Sequence, residues 1–213
     1  TEKLSRVDLY GIGTNLTCFS FIQADEEKME RLAEMRKKVE NAAGHTLEIV
    51  SGGNSAALDL MMRGGICEGV DNFRLGESLL FGKERSRYTF LPGTRNDGFI
   101  LECEVVEAKV KPSLPWGTAG VDSYGRKPVF TNRGEKRKKV ICAIGRQDFD
   151  AETATPVDEG ILILGASSDH LMLDVTDSVK EYKVGDIVEL RLGYFSVLRA
   201  FTSPYVEKIF LKK

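Results

Sequence analysis

The most regular hydrophobic pattern in the chain is a stripe at helical spacing between residues 25 and 44. Met29, Leu32 and Val39 fall on one face of a helix, and charged residues occupy the rest of the segment. Asp25 is a good cap for the helix start, and acidic residues crowd the first turn, where the helix dipole favours them. The pattern predicts an amphipathic helix whose charged face is solvated and is not a nucleic-acid patch.

Short apolar runs surround this helix. Runs at residues 7–12 and 47–50 predict a strand on either side of it, and residues 72–74 predict a third strand. A second, shorter helix is predicted at residues 56–63, between the second and third strands. Strands that alternate with helices in this order indicate parallel pairing in an α/β layer.

The pattern changes near residue 95, because no helical periodicity is seen beyond it. Residues 99–110 interleave apolar and charged positions and predict a long strand with one exposed face. Further strands and one hairpin are predicted between Gly and Asp turns, the strands at residues 140–144, 160–164, 170–175 and 187–192 and the hairpin at residues 121–130. The sequence therefore predicts an α/β domain at residues 1–95 and an all-β domain at residues 96–213.

Composition narrows the classes of function. The 213 residues are 42% hydrophobic, which suffices for a sizeable core, and the net charge of −2 provides no basic field to attract nucleic acid or a membrane. No apolar run reaches transmembrane length, and no signal peptide is visible. The cysteines lack CxxC spacing and are predicted to be reduced core residues of a cytoplasmic protein, with neither disulfides nor a metal site: Cys18, Cys67, Cys103 and Cys142.

Two small-residue turns follow predicted strands. The first contains Gly52 and Gly53, which let a ligand approach the backbone closely, and ends in Asn54 and Ser55, both good helix caps. The second, Arg74-Leu75-Gly76, places a fixed cation beside another flexible turn. Turns of this kind at the carboxyl edge of a parallel sheet suit a phosphate, although they also occur in ordinary strand–turn–helix units.

Several longer motifs resemble one known family. In the first domain they are GIGTNLTC at residues 11–18, SGGNSAAL at residues 51–58 and NFRLGESLLFG at residues 72–82. In the second domain they are GRQDFD, LGASSDHLMLDVTD and YKVGDIVEL. Together they resemble the alanine racemase family, and within it the ornithine racemase branch. The resemblance implies an amino-acid racemase that uses pyridoxal phosphate (PLP), built as the later strands of a (β/α)8 barrel followed by a carboxyl-terminal β domain.

The same resemblance implies which residues hold the phosphate of PLP. Ser55, with Asn54 beside it, stands at the position of the family's phosphate-binding serine, and Gly76 and Glu77 match its backbone donors. The side chain of Glu77 should then point away from the phosphate. Tyr205 matches a tyrosine that reaches back to the same group. The structural alternatives are a plain helix cap for Ser55 and a packed surface tyrosine for Tyr205.

Two further positions are implied to lie beside the cofactor ring. Arg74 matches the family's arginine under the pyridine nitrogen, and because a guanidinium keeps its charge it should leave that nitrogen unprotonated. The alternative for Arg74 is a salt bridge at a barrel rim. Asn15 stands where alanine racemases carry a histidine next to a threonine, and this departure agrees with the ornithine racemase branch.

The candidates for catalysis lie in the second domain. Asp169 occupies the position of the family's aspartate that reaches from the β domain into the partner subunit's site, so a homodimer is implied. Its neighbour His170 is interpreted as structural. Arg146 stands in Gly145–Asp148, where alanine racemases carry a catalytic tyrosine, so the second base is not identified by the motif.

The Schiff-base lysine of the family lies on the first barrel strand, and no lysine of this chain stands in a matching motif. Three strands also cannot close a barrel. We therefore expect the first barrel half to be supplied upstream or by a companion chain. The competing hypothesis is a non-catalytic PLP-binding or structural fragment.

Overall fold

The computed structural model describes residues 4–121 and 125–212, which form two compact units. The first unit ends at Gly98 and the second begins at Phe99, whereas the sequence placed the boundary near residue 95. Among the described residues, no helix is both long enough and apolar enough to span a membrane.

The first unit is a three-stranded parallel sheet with helices between its strands. The strand order is β1-β2-β3, and all pairs are parallel. Its elements are, in chain order, β1 (Gly11–Gly13), α1 (Glu26–Ala43), β2 (Ile49–Asn54), a 3-10 turn (Ser55–Ala57), α2 (Leu58–Met62), β3 (Asn72–Arg74) and α3 (Glu77–Phe81). This order confirms the predicted alternation of strands and helices.

Helix α1 begins and ends as its sequence predicts. The Asp25 carboxylate accepts the main-chain N–H of Lys28 at 3.0 Å and so caps the first turn. Gly44 adopts the left-handed conformation, with φ of 78°, and donates its N–H to the Glu40 carbonyl at 2.8 Å. Met29 is the one fully buried residue of the helix and packs with Val50 and other residues of the first core.

Strand β2 is displaced from its predicted position. The sequence placed a strand at residues 47–50 and a turn after it, but Ser51 continues the strand and pairs with both Gly13 and Asn72. Glycine is required within this strand, since a Cβ at Gly52 would lie 2.8 Å from the side chain of Phe73. The small residues therefore allow close packing inside a buried strand, which local turn propensity does not reveal.

The second unit is a six-stranded antiparallel sheet in the order β6-β9-β4-β5-β8-β7. Its elements are β4 (Ile100–Lys111), β5 (Arg137–Cys142), a 3-10 turn (Ala151–Thr153), β6 (Ala154–Pro156), β7 (Leu162–Ala166), β8 (Leu171–Asp174), β9 (Ile187–Leu192) and α4 (Tyr194–Thr202). The long β4 pairs with β9 along its first half and with β5 along its second. The predicted β-rich domain is confirmed.

Three details of the second unit differ from the sequence prediction. Helix α4 was not predicted, because its aromatic and β-branched residues are typical of strands, yet Ser196, Val197 and Ala200 are buried at helical spacing. Strand β6 was also missed. The described part of the predicted hairpin, residue 121 and residues 125–130, contains no strand, and residues 122–124 lie outside the described residues.

All four cysteines are free thiols. Cys103 and Cys142 are buried on the neighbouring strands β4 and β5, as predicted for core cysteines. The hydrogen bond to Cys142, together with burial, raises the pKa of the Cys103 thiol. Cys18 is exposed, so its assignment to the core was wrong, and Cys67 is half-buried.

Candidate functional site

Arg74 connects the carboxyl ends of all three parallel strands. It is the last residue of β3, and its Nη2 donates to the carbonyl oxygen of Thr14, just beyond β1, at 2.7 Å. Its Nη1 donates to the Oγ of Ser51 in β2. Gly13 leaves room for this arrangement, because a Cβ there would lie 3.2 Å from the Arg74 Nη1. A fixed cation therefore lies at the edge where parallel sheets bind ligands.

Ser55 is the centre of a second group of hydrogen bonds at this edge. It directly follows β2 and is only 4% exposed. Its Oγ accepts the main-chain N–H groups of Gly76 at 3.3 Å and of Ser78 at 3.2 Å, and it lies 3.1 Å from the Ser78 Oγ. Ser55 thus caps the start of α3 from another element, since Gly76 has no side chain with which to do so.

The predicted site residues Asn54 and Asn15 also meet. The Asn54 Oδ1 accepts the N–H of Ala56 at 2.8 Å, which caps the 3-10 turn. Its Nδ2 donates to the Asn15 Oδ1 at 2.9 Å, so the two asparagines join the ends of β1 and β2. The side chain of Asn15 itself is exposed at this edge.

Glu77, an acidic residue next to Gly76, forms an ion pair with an arginine. The carboxylate of Glu77, at the first position of α3, lies 3.4 Å from the Nε of Arg85. This pairing neutralises the charge that would otherwise repel an anion held by the main chain of Gly76. The orientation of the Glu77 side chain away from such an anion stays a prediction.

The chemistry of this edge fits a phosphorylated ligand such as PLP. The buried Ser55 hydroxyl and the Gly76 N–H next to it are both potential donors, which is what a phosphate dianion needs. A Cβ added to Gly76 would meet no heavy atom within 4 Å, so the main chain there is open to a ligand. Arg74 adds a positive charge at the same edge of the sheet.

The catalytic candidates of the second unit lie on two turns that pack together. The N–H of Arg146 donates to the Ser167 carbonyl at 2.9 Å, and its Nε donates to the Ala166 carbonyl at 2.9 Å. A Cβ at Gly145 would lie 2.2 Å from the main-chain nitrogen of Asp169, so only glycine allows this contact. Arg146 and Asp169 are therefore presented on neighbouring turns.

Asp169 is an exposed carboxylate held by its own turn. It accepts the Ser168 hydroxyl at 2.9 Å and the Ser167 hydroxyl at 3.3 Å, and its Oδ1 lies 3.3 Å from the Nδ1 of His170. The Ser168 hydrogen bond, helped by the neighbouring His170, lowers the pKa of Asp169 below its ordinary value. Asp169 is therefore ionised at neutral pH.

Tyr205 is linked to the Arg146 turn through a buried acid. The tyrosine side chain is 79% exposed, while its N–H donates to the Ser203 Oγ at 3.1 Å. The Ser203 hydroxyl donates in turn to the Oδ1 of Asp148 at 2.6 Å, and Asp148 is 5% exposed. Asp148 thus fixes the turn that carries Tyr205 relative to the turn that carries Arg146.

Two residues of the first group were not predicted from the sequence. Ser51 supports Arg74, and Ser78 contacts Ser55, each across 23 residues of chain. Both serines stand within quoted motifs, but no role was assigned to either, because both contacts depend on how the strands and α3 pack. Across residues 4–121 and 125–212, no three His, Cys, Asp or Glu side chains lie close enough together to hold a metal ion.

Comparison with known proteins confirms the resemblance seen in the motifs. No protein-family model matches the chain. Ornithine racemase of Acetoanaerobium sticklandii is 45% identical over 206 residues, which cover 97% of this chain and 58% of that protein. Lysine racemase of Thermotoga maritima is 43% identical over 203 residues, which cover 95% of this chain and 57% of that protein. The chain thus spans less than two thirds of the length of these curated relatives.

Solved structures support the fold. Alanine racemase of Clostridium difficile 630, in complex with cycloserine, matches 94% of this chain and 53% of its own with a TM-score of 0.52 at 21% identity. Alanine racemase of Bartonella henselae, with covalently bound pyridoxal phosphate, matches 84% of this chain and 47% of its own with a TM-score of 0.51 at 21% identity. D-threonine aldolase of Filomicrobium marinum matches 89% and 47% with a TM-score of 0.52 at 11% identity. The fold is therefore that of the later part of alanine racemases.

Proposed function

We propose that this chain is the carboxyl-terminal part of a PLP-dependent amino-acid racemase whose substrate is a basic amino acid such as ornithine or lysine. The observation that carries the proposal is the 45% identity to an ornithine racemase over 97% of the chain. The second relative is named a lysine racemase, and both names share a substrate with a distal amino group. The donor groups at the strand ends of the first unit support PLP as the cofactor.

In this proposal the first unit holds the phosphate. The hydroxyl of Ser55 and the main-chain N–H groups of Gly76 and Glu77 donate to its oxygens, with Asn54 fixing the start of the 3-10 turn. The Glu77 carboxylate stays with Arg85 and does not oppose the anion. The family resemblance also implies that Tyr205 binds the phosphate, and this assignment stays a prediction.

Arg74 and Asn15 act beside the ring. When bound, PLP supplies an electron-withdrawing ring that accepts the electron pair left on the substrate Cα after its proton is removed. Arg74 keeps its charge and has only N–H donors, so it can donate a hydrogen bond to an unprotonated ring nitrogen but cannot accept one from a protonated ring. It therefore favours the unprotonated ring. This limits electron withdrawal to what a racemase needs.

The second unit carries two charged candidates for substrate binding. Arg146 cannot act as a base, because a guanidinium has no free lone pair, so we assign it to binding and orienting an anionic group. Asp169 is an ionised carboxylate suited to a cationic group. In a homodimer of the family type, these residues complete the partner subunit's site.

The complete enzyme also needs the first barrel strands and the lysine that binds the cofactor covalently. We propose that they precede this chain in the same polypeptide or come from a companion chain. The four free cysteines suit a reducing compartment such as the cytoplasm.

The test is proton exchange at Cα. The polypeptide that contains this chain together with the first barrel half is incubated in D2O with PLP and L-ornithine or L-lysine. Deuterium at Cα is followed by NMR, and the D-enantiomer by chiral chromatography. We expect both signals with the complete polypeptide and neither with the 213-residue chain alone. If the complete polypeptide catalyses Cα exchange of no free amino acid, the proposed function is refuted.

A further inference from the structure

The Ser55 hydroxyl has three hydrogen-bond neighbours within the protein, so a bound phosphate would be a fourth partner for a group that can make three hydrogen bonds. Its Oγ faces the N–H of Gly76 at 3.3 Å, the N–H of Ser78 at 3.2 Å and the Oγ of Ser78 at 3.1 Å. Ser55 and Ser78 are 4% and 5% exposed, so water does not replace these partners easily.

The number of lone pairs decides the direction of the hydroxyl contact. A serine oxygen has two lone pairs and one O–H. The two N–H groups can only donate, so they occupy both lone pairs of the Ser55 Oγ. The Ser55 O–H must then donate to the Ser78 Oγ. In this arrangement Ser55 has no proton left for a phosphate oxygen.

A bound phosphate changes this arrangement in one consistent way. The Ser55 O–H and the Gly76 N–H both turn to the anion, which frees one lone pair on the Ser55 Oγ. The Ser78 hydroxyl then reverses and donates to that lone pair, while the Ser78 N–H stays in place. With the phosphate bound, the Ser55 O–H, the Gly76 N–H, the Ser78 N–H and the Ser78 O–H each have an acceptor.

We infer that Ser78 is a positioning residue of the phosphate site, whose hydroxyl accepts from Ser55 without the phosphate and donates to Ser55 when the phosphate is bound. This inference rests on the proposed function, because it takes Ser55 as the phosphate ligand. A hydroxyl that receives a hydrogen bond is a stronger donor to a third group. Ser78 therefore strengthens the contact of Ser55 with the anion without touching the anion.

This role is separate from capping of α3. The N–H of Ser78 already provides the capping contact, through the Ser55 Oγ, and any residue at this position keeps that N–H. Only the hydroxyl of Ser78 can reverse. An alanine variant therefore removes the reversible hydrogen bond between the Ser55 and Ser78 hydroxyls, which we call the relay, and leaves the cap.

The experiment compares PLP with pyridoxal, which lacks the phosphate. Dissociation constants of both compounds are measured by equilibrium dialysis for the complete polypeptide and its variants. For Ser78→Ala we expect the PLP constant to rise about three- to tenfold, as for one neutral hydrogen bond. The constant for pyridoxal should stay unchanged. Ser78→Thr keeps a hydroxyl and should bind PLP within about twofold of wild type.

A direct ligand and a distant buried serine serve as references. Ser55→Ala should weaken PLP about ten- to a hundredfold, because it loses a charge-assisted hydrogen bond. Ser196 is equally buried, on α4 of the second unit, and its hydroxyl donates to the Asp150 carbonyl at 2.6 Å. Ser196→Ala should leave both dissociation constants unchanged.

The outcomes separate the inference from the proposed function. Selective loss of PLP affinity in both Ser55→Ala and Ser78→Ala supports the relay. A selective loss in Ser55→Ala alone overturns the relay and leaves the phosphate site in place. Equal weakening of PLP and pyridoxal by Ser78→Ala also overturns it, since that is a purely structural effect. No selective loss in either variant refutes the phosphate assignment itself.

Discussion

Replacing Ser51 by alanine should release one side of the Arg74 guanidinium. The Ser51 Oγ accepts from the Arg74 Nη1, while the Arg74 Nη2 donates to the Thr14 carbonyl at 2.7 Å. Ser51 is buried, so alanine fills its place without a large cavity, and the main change is the lost acceptor. The strand ends of the first unit should then open more readily.

The size of this effect follows from the charge and exposure of the pair. A hydrogen bond to a charged group contributes about 1.5–3 kcal/mol. Arg74 is exposed, so water partly replaces the lost partner and the lower value, about 1.5 kcal/mol, applies. That change corresponds to a roughly tenfold larger equilibrium constant for opening of the local structure.

Hydrogen exchange measures this opening directly. The Thr14 N–H donates to the Ser51 carbonyl at 3.0 Å, so peptides that cover residues 11–18 and 49–54 report on the affected strands. We expect their protected amides to exchange about tenfold faster in Ser51→Ala. Ser113→Ala, in the second unit, is the control and should leave these peptides unchanged.

A double-mutant cycle decides whether Arg74 is the cause. In an Arg74→Ala background, Ser51→Ala should change the exchange rates little, because the partner is already gone. If Ser51→Ala accelerates exchange as much in that background as in the wild type, the Ser51–Arg74 contact is not what stabilises the strand ends.

Three other outcomes are expected. Gly145→Ala should destabilise the second unit by about 3 kcal/mol, since its Cβ would lie 2.2 Å from the Asp169 nitrogen, whereas Gly120→Ala, in open space, should not change the circular-dichroism melting curve. Burial raises the pKa of Asp174, but hydrogen bonds from Arg137 and Thr176 outweigh it, so the folded pKa lies below the ordinary value. The stabilisation from Asp174 is present above the unfolded pKa and is lost as the pH falls through the folded pKa. Asp174→Asn should therefore reduce the fall, at acidic pH, of the free energy of unfolding measured with urea. The complete protein should sediment as a homodimer at micromolar concentration, and a fully active monomer would contradict the role of Asp169 in the partner's site.

Local sequence signals predicted the elements whose boundaries are chemically marked. Asp25 and Gly44 bound α1 in the structure as they do in the sequence, because a cap and a left-handed glycine act through neighbouring residues. Strand β2 was displaced because Gly52 and Gly53 signal a turn, whereas pairing with β1 and β3 makes them strand. That pairing is set by residues more than 15 positions away and leaves no local pattern.

The candidate site shows the same difference between residues that the local sequence marks and residues that tertiary contacts place. Ser55, Gly76 and Arg74 could be named from motifs, since each stands in a glycine-rich turn at a strand end. Ser51 and Ser78 lie in the same motifs, but no role could be assigned to them, because a serine in a strand or in a helix is ordinary in either sequence context. Their roles depend on tertiary contacts that bring two strand ends and the start of α3 together.

The proposed phosphate site at the start of α3 requires that the charge of Glu77 be offset by a later loop. Glu77 directly follows the open main chain of Gly76, and an unpaired carboxylate there would repel a phosphate. The Nε of Arg85 lies 3.4 Å from the Glu77 carboxylate and offsets its charge. Arg85 lies on a loop that Glu84 holds in place. The Glu84 carboxylate is buried and accepts the N–H of Arg87 at 2.8 Å, which closes the turn around Arg85. If Gly76 binds the phosphate as proposed, that binding depends on Glu84, a buried acid eight residues further along the chain.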